Sequence, residues 1–563
     1  MGRPFMNRLT VAYTGALLML ALGCKDLNLG PKDQVSDASF WKNPDQFRLA
    51  ANDFYFALRG PDQGGGARGT YVELNSDIAT GSGSAEMSSM SNGSYLPAAN
   101  SDLWTNSYAG IRATNYLLAK ATQSGLGSQI DRWVGEALFF RAYHYWNLVK
   151  TYGGVPLITT VLDVSSPEVY TPRATQQEII DFIIADLDNA IPKLLKQSKL
   201  SAAEMGRVTQ GPALALKARA ALYQGTWRKY HAEGDPTAML TAASNAAQQL
   251  ITSNEYDLYT DHGTDSSYKF LFILQGDDSK EVILARRYYA GRATHNWTRE
   301  LWFNYMIPTK KLADMYLCKD GLPITISPQF AGYDSLETTE FRNRDPRMAM
   351  TFIVPGSDVF KESGFLPVIP GFSGTTATRT GYMLRKFLDE TVEAAHFAGQ
   401  YDFKEFRYGE VLLILAEALF ERDGVISDAD LNRTINLLRA RVGMPALNNA
   451  FVTSNGLDML TEIRRERTVE LAFEGFRRDD LRRWKTAEQD MPQAIKGVKF
   501  VGTEYQHRDS TLKVGTDIQV DANGFVVAEA AGSRQFLPKH YLDPIPLQQI
   551  QLSHGTLLQN PGW

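Results

Sequence analysis

Arg3 and Arg8 precede an apolar run from Leu9 to Leu22 that meets Gly23-Cys24. A basic end, a short apolar segment and a small residue before the cut describe a secretory signal. The run falls short of the roughly 20 apolar residues that a membrane span needs. Cleavage after Gly23 leaves Cys24 first, where its thiol can take a diacylglycerol and its freed amine a further acyl chain. Each buried methylene contributes about 0.8 kcal/mol, so anchoring by two or more chains is stable. Ala21 stands where such signals more often carry Leu, whereas Leu22 and Gly23 fit. The exported body then keeps one other cysteine, Cys318, and no internal disulfide can form. It has to be held by packing alone. Cys318, within Met315-Tyr316-Leu317-Cys318, reads as a small buried hydrophobe.

The 563 residues suffice for a large core, and 44% hydrophobic with 21% charged residues lies within globular norms. Net charge is -5, becoming -7 once Arg3 and Arg8 leave, and no basic run suggests nucleic acid. Residues 1–23 read as the signal. Residues 24–35, with a Gly30-Pro31 break and no sustained period, read as a lipidated tether.

Helical periods begin in the next part, residues 36–253. Val134, Leu138, Tyr145, Leu148 and Tyr152 share one face, and Gly153-Gly154-Val155-Pro156 ends that helix. Thr175 precedes Glu178 in capping-box spacing before the stripe Ile179, Ile180, Ile183, Ile184, Leu187, Ile191. A third helix starts at Gly211-Pro212, and a fourth spans about Thr237 to Ile251. Helical pairs in series suggest a tetratricopeptide-like solenoid. Over residues 254–400 glycine, proline, serine and aromatic residues interrupt any helical period, with strand-like pieces at Glu281-Val282-Ile283-Leu284 and Met350 to Val354. Helices resume in residues 401–563, at Phe406 to Phe420, Asp428 to Val442 and the charged stretch Leu460 to Lys485. The fold class is therefore mainly α: a tetratricopeptide-like α-superhelical scaffold with an inserted irregular lobe containing short strands. The two helical parts are expected to pack as one unit.

Within the charged stretch, Glu466, Glu470 and Glu474 fall four residues apart and could imitate a metal or glycosidase carboxylate set. Arg477 and Arg478 lie three and four residues beyond Glu474, and Arg482 and Arg483 the same distances beyond Asp479. The spacing predicts a structural ion-pair network, not catalysis. The sequence also lacks H-E-x-x-H, a P-loop and G-x-S-x-G. Gly81-Ser-Gly-Ser is no dinucleotide fingerprint, His507-Arg-Asp509 matches a kinase loop in three letters only, and the histidines lack zinc spacing. No catalytic residue, metal ligand or cofactor is assigned.

Ile463 to Trp484 resembles the I-x-x-E-R-x-x-E-L-x-x-E-G-x-R-x-x-D-L-x-R-W signature of the SusD/RagB family of outer-membrane nutrient-binding lipoproteins. Tyr541-Leu-Asp-Pro-Ile-Pro-Leu-Gln-Gln-Ile and Leu558-Gln-Asn-Pro-Gly-Trp563 resemble its closing pattern. Weaker matches lie at Glu136 to Leu157, at Trp104-x-x-x-Tyr108-x-x-Ile111-x-x-x-Asn115, and at Pro308-Thr309 with Asp320-Gly321. The resemblance implies a superhelix carrying a ligand-binding lobe, surface exposure on the outer membrane, and a SusC-like TonB-dependent transporter as partner. It also implies capture of oligosaccharides or, in some branches, peptides. A glycoside hydrolase and a protein adaptor on a helical scaffold remain rival classes.

Sugars present hydroxyls and apolar C–H faces, so a binding site needs rings edged by polar groups. The lobe offers Tyr288, Tyr289, Trp297, Trp302 and Tyr305, with Asn296, Arg292 and Arg299 for polar contacts. Tyr95 and Trp104 border the Gly/Ser-rich segment from Thr80 to Gly93.

Overall fold

The computed structural model describes residues 37, 39–61, 70–81, 88–360, 362–366, 378–391, 399–508 and 511–563. The signal, Cys24 and the tether lie outside the described residues. Among those described, no helix is long and apolar enough to cross a membrane.

The scaffold is a run of antiparallel helices. After α1 (Pro44–Asn52) come α2 (Asp102–Ser124), α3 (Asp131–Tyr152), α4 (Gln176–Ala190), α5 (Gln210–His231) and α6 (Thr237–Thr252), each of the last four packing on its predecessor. The capping box at Thr175 and Glu178 is formed in both directions, starting α4 where the spacing predicts. Helix α5 is buried nearly all round, with Ala213, Ala215, Ala218, Ala220 and Ala221 letting its neighbours approach closely. Helix α7 (Tyr408–Asp423) packs on both α5 and α6, so one hydrophobic core joins residues before and after the lobe.

A second core belongs to the lobe. It gathers Trp297, Leu301, Tyr316, Met348, Phe352, Tyr382 and Leu388, together with Val498, Phe500 and Val526 from a hairpin later in the chain. Among the described residues the strands form four antiparallel pairs: β1 (Ala79–Thr80) with β3 (Ile307–Pro308), β2 (Val282–Arg286) with β6 (Phe403–Arg407), β4 (Ser357–Val359) with β5 (Glu362–Phe365), and β7 (Ile495–Lys499) with β8 (Phe525–Glu529). Met350 to Val354 is not a strand. Asp345 caps the short helix Pro346–Thr351 by accepting from the Arg347 N–H, and Pro346 suits its first turn, so only Phe352 bridges to Leu384.

Two expected helices are broken. Asp428 to Val442 divides into Asp428–Asn432 and α8 (Ile435–Arg441). Leu460 to Lys485 divides into α9 (Met459–Glu470) and α10 (Arg477–Arg483), with Phe473 and Gly475 at positive φ between them. The break takes Glu474 off the helical face it was expected to share. Its partners are Arg407 and Lys386, both at 2.7 Å, and not Arg477 or Arg478.

Glu470, fully buried, bonds Arg441 at 2.6 Å, Arg407 at 2.8 Å and Arg347 at 2.9 Å. Glu466 takes Arg347 and Arg439, Glu281 takes Arg407 and Arg441, and Asp345 takes Arg347. Five cations (Arg347, Lys386, Arg407, Arg439, Arg441) thus face five carboxylates (Glu281, Asp345, Glu466, Glu470, Glu474). Burial pushes the Glu470 carboxyl up, but the three arginines outweigh it and hold it well below the usual carboxylate range. Removing one member of a buried pair costs about 3–5 kcal/mol, because the remaining charge is left in low dielectric. Glu470→Ala should lose about that much stability in urea or thermal unfolding, since it leaves five buried cations facing four carboxylates. Arg48→Ala removes only an exposed pair with Asp45, and its unfolding midpoint should match the parent.

Candidate functional site

A cavity of about 1110 Å³ opens on the helical scaffold. Its walls are the turn after α1, the segment Tyr95–Ser101 with the start of α2, the last turns of α3, the first turn of α10, and the closing segment Asp543–Pro546. Ser101 starts α2 by accepting from the Trp104 N–H, and its hydroxyl lies 2.8 Å from the Tyr152 hydroxyl. Helix α3 ends at Gly153, φ 71°, and at Gly154, where a Cβ would lie 2.1 Å from the Ala174 carbonyl. The Asn560 amide donates to the carbonyls of Tyr152 (3.0 Å) and Asp543 (2.7 Å), clamping the chain's last segment to this corner.

Two sequence signatures meet here. Asp543 of the closing pattern accepts from Arg478 at 2.6 Å and Arg482 at 3.3 Å, and from the Tyr95 hydroxyl at 3.3 Å. Lys150 pairs with Asp479 at 2.8 Å. Burial pushes Asp479 up, yet Lys150 holds its carboxyl below the usual range. Apolar surface comes from Phe54, Tyr95, Leu96, Tyr152 and Phe56, whose ring is 65% exposed. On the inner wall the imidazole of His144 is pushed down to about 4 by burial and is neutral at pH 7.

The sequence candidates scatter. Tyr95 lines the cavity; its ring packs on His540 and Trp563. Trp104 lies behind the wall, 5% exposed, against Tyr108 and Tyr152. In the lobe, Trp297 is fully buried against Tyr71 and Phe387, and so has no face to offer a ligand. Tyr288 is buried with its hydroxyl donating to the Pro61 carbonyl, and Asn296 is buried at the start of the short helix Trp297–Trp302. Trp302 is half-buried against Phe360 and Phe365. Only Tyr289, Tyr305 and Arg292 among the lobe candidates are well exposed, with Arg299 half-buried over the Phe303 ring. Phe56, Ser107, His144 and Tyr152 were not candidates. The Phe54-Tyr55-Phe56 run was the available signal for the first, since alternate rings on one tight turn cannot all enter the core.

The family model of SusD matches residues 251–563. The chain belongs to the SusD family. A second model, described as starch-binding and associating with the outer membrane, matches residues 67–222 of this SusD family member. The SusD-like protein P38 of Formosa agariphila is 23% identical over 500 residues, covering 84% of this chain and 92% of that protein. A solved SusD-like carbohydrate-binding protein from Bacteroides fragilis superposes with a TM-score of 0.76 at 24% identity, over 92% of this chain and 99% of that one. A laminarin-binding SusD-like protein gives 0.57 at 22% identity, over 93% and 100%. These structural likenesses speak for the fold.

Trp297→Ala should cost about 3–5 kcal/mol, as removal of a fully buried indole does. Tyr289→Ala should leave thermal unfolding unchanged, and equal effects from the two would contradict the placement of Trp297 in the lobe core.

Proposed function

We propose that this protein is a nutrient-binding lipoprotein of the outer cell surface that captures oligosaccharides and passes them to a SusC-like TonB-dependent transporter. The observation that carries the reading is the cavity of this SusD family member. It sets exposed or half-exposed rings beside neutral polar groups, the pairing that a sugar's C–H faces and hydroxyls require. The similar solved proteins, one carbohydrate-binding and one laminarin-binding, support the same ligand class. The site is proposed as a binder without turnover: Asp479 and Asp543 are each engaged by cations, and similar solved proteins are described as binding proteins. Anchoring is assigned to Cys24, and the transporter supplies the passage that a tethered binder cannot.

Three measurements test this. Soluble protein starting at residue 25 should bind members of a glycan panel, and Phe56→Ala should weaken that binding by about 2 kcal/mol, roughly thirtyfold, without shifting the melting temperature. Capture of peptides with no glycan bound would move the ligand class to the peptide branch. Cys24→Ala should abolish lipid labelling and leave the protein membrane-free; unchanged membrane fractionation sinks the anchor. Mild-detergent purification from the native host should bring down a TonB-dependent barrel, and recovery of the free lipoprotein alone under several conditions argues against the partner.

A further inference from the structure

The inner wall of the cavity holds two buried polar side chains that the fold leaves open. Ser107 on α2 is 3% exposed and His144 on α3 is 6% exposed, and both line the cavity. Among the described residues neither the Ser107 hydroxyl nor the His144 ring takes a hydrogen bond from, or gives one to, any protein group. Both open onto the cavity, where solvent can complete them and the hydroxyl of a ligand can take the solvent's place. The helix makes room for this arrangement. A Cβ on Gly110, one turn after Ser107, would lie 2.0 Å from Nε2 of His144, so only glycine lets the imidazole edge lie against α2. Glycine is a poor helix former, and here it stands where a side chain would displace the ring.

A neutral imidazole carries one donor and one acceptor, and a hydroxyl can both donate and accept. Burial keeps the His144 ring in that neutral form through the physiological range. The two groups therefore suit a partner that is itself both donor and acceptor, as a sugar hydroxyl is. An anionic group offers acceptors only.

Charge at the cavity points the same way. Each cation lining it is already matched by a carboxylate of the protein: Arg59 by Glu405 at 2.9 Å, Lys150 by Asp479 at 2.8 Å and Arg478 by Asp543 at 2.6 Å. Asp53 and Asp102 also line the cavity, both are exposed, and neither has a cation partner among the described residues. A carboxylate or sulfate entering here would lose water without gaining an unpaired cation, and would pass two like charges on the way.

We propose that the cavity selects uncharged oligosaccharides against uronate- and sulfate-bearing ones, with Ser107 and His144 as the hydroxyl contacts of its inner wall. The proposal rests on the glycan reading of this cavity and adds the class of glycan and the residues that choose it.

The test uses soluble protein from residue 25 onward and calorimetry at low ionic strength against matched pairs of oligosaccharides that differ only in oxidation at C6. Examples are gluco- with glucurono-oligomers and manno- with mannurono-oligomers of the same linkage and length. A neutral member should bind at least ~10-fold more tightly than its acidic counterpart, and the double variant Asp53→Asn/Asp102→Asn should narrow that gap. His144→Phe keeps the ring's shape without its nitrogens and should weaken neutral binding at least ~10-fold at an unchanged melting temperature. If His144→Phe lowers the melting temperature, Ser107→Ala, a change that a helix accepts, decides the contact by the same loss of affinity. Acidic members binding as tightly as neutral ones overturn the selectivity while the glycan reading stands. Parent-like binding by both Ser107→Ala and a folded His144→Phe overturns the contacts. Binding of no glycan in the panel removes the reading of the site, and this proposal with it.

Discussion

Glu470 holds the molecule's parts in register. Its carboxylate meets Arg441 at the end of α8, Arg407 at the end of β6 and Arg347 of the lobe, with no exposed surface of its own. In such an interior the desolvation of each ion is large, and the attraction offsets it only when every charge is matched and hydrogen-bonded. Five cations against five carboxylates match the charges, although Arg439 Nη2 and Arg441 Nε are buried without a hydrogen-bond partner among the described residues. The network is therefore better read as a device for specifying one arrangement of lobe and scaffold than as a source of net stability. A displaced lobe would leave arginines buried alone, which is far less favourable than a displaced apolar contact.

The break after α9 extends this control toward the cavity. Positive φ at Phe473 and Gly475 turns the chain so that Glu474 faces Arg407 and Lys386, while the Gly475 N–H donates to Glu73 at 2.8 Å. Helix α10 then leaves in a direction that lets Arg477 grip Asp77 at 2.8 Å and Arg478 grip Asp543. A continuous helix from Leu460 to Lys485 could not aim Glu474 and Arg478 at such separate partners. The spacing of charges showed that the stretch would be ion-paired, yet it could not show with what. The carboxylates and cations that complete the network come from residues far away in sequence, and a helical period contains no information about them.

The same distinction separates what was legible from what was not. Helices α3 to α6 follow from local signals, such as apolar spacing, a capping box and Gly or Pro punctuation, and these act within one turn of the residues they govern. The site depends on which face of a ring meets solvent. Aromatic residues in an irregular lobe look alike in sequence whether they form its core or its surface, so Trp297 and Tyr289 were equal candidates although one is fully buried and the other 72% exposed. His144 was hidden for the opposite reason. Helix α3 is buried around nearly its whole circumference from Gly135 to Trp146, so no polar stripe singles out the one position that faces a cavity.

This arrangement explains why family signatures here identify the fold and say little about the ligand. Glu470, Arg477 and Asn560 stand at specified positions of the signatures, and each is consumed in bonding to another part of the fold. The groups left to meet a ligand stand elsewhere. Asp53 and Asp102 lie outside the motifs, and Ser107 occupies an unspecified position between Trp104 and Tyr108. A residue whose hydrogen bonds are all spent on the fold cannot be changed without cost to the fold, whereas one that faces the cavity unpartnered is constrained only by what enters. Relatives with the same scaffold can therefore differ in ligand by changing a few side chains at positions such as Ser107, and resemblance along the motifs carries no information about that difference.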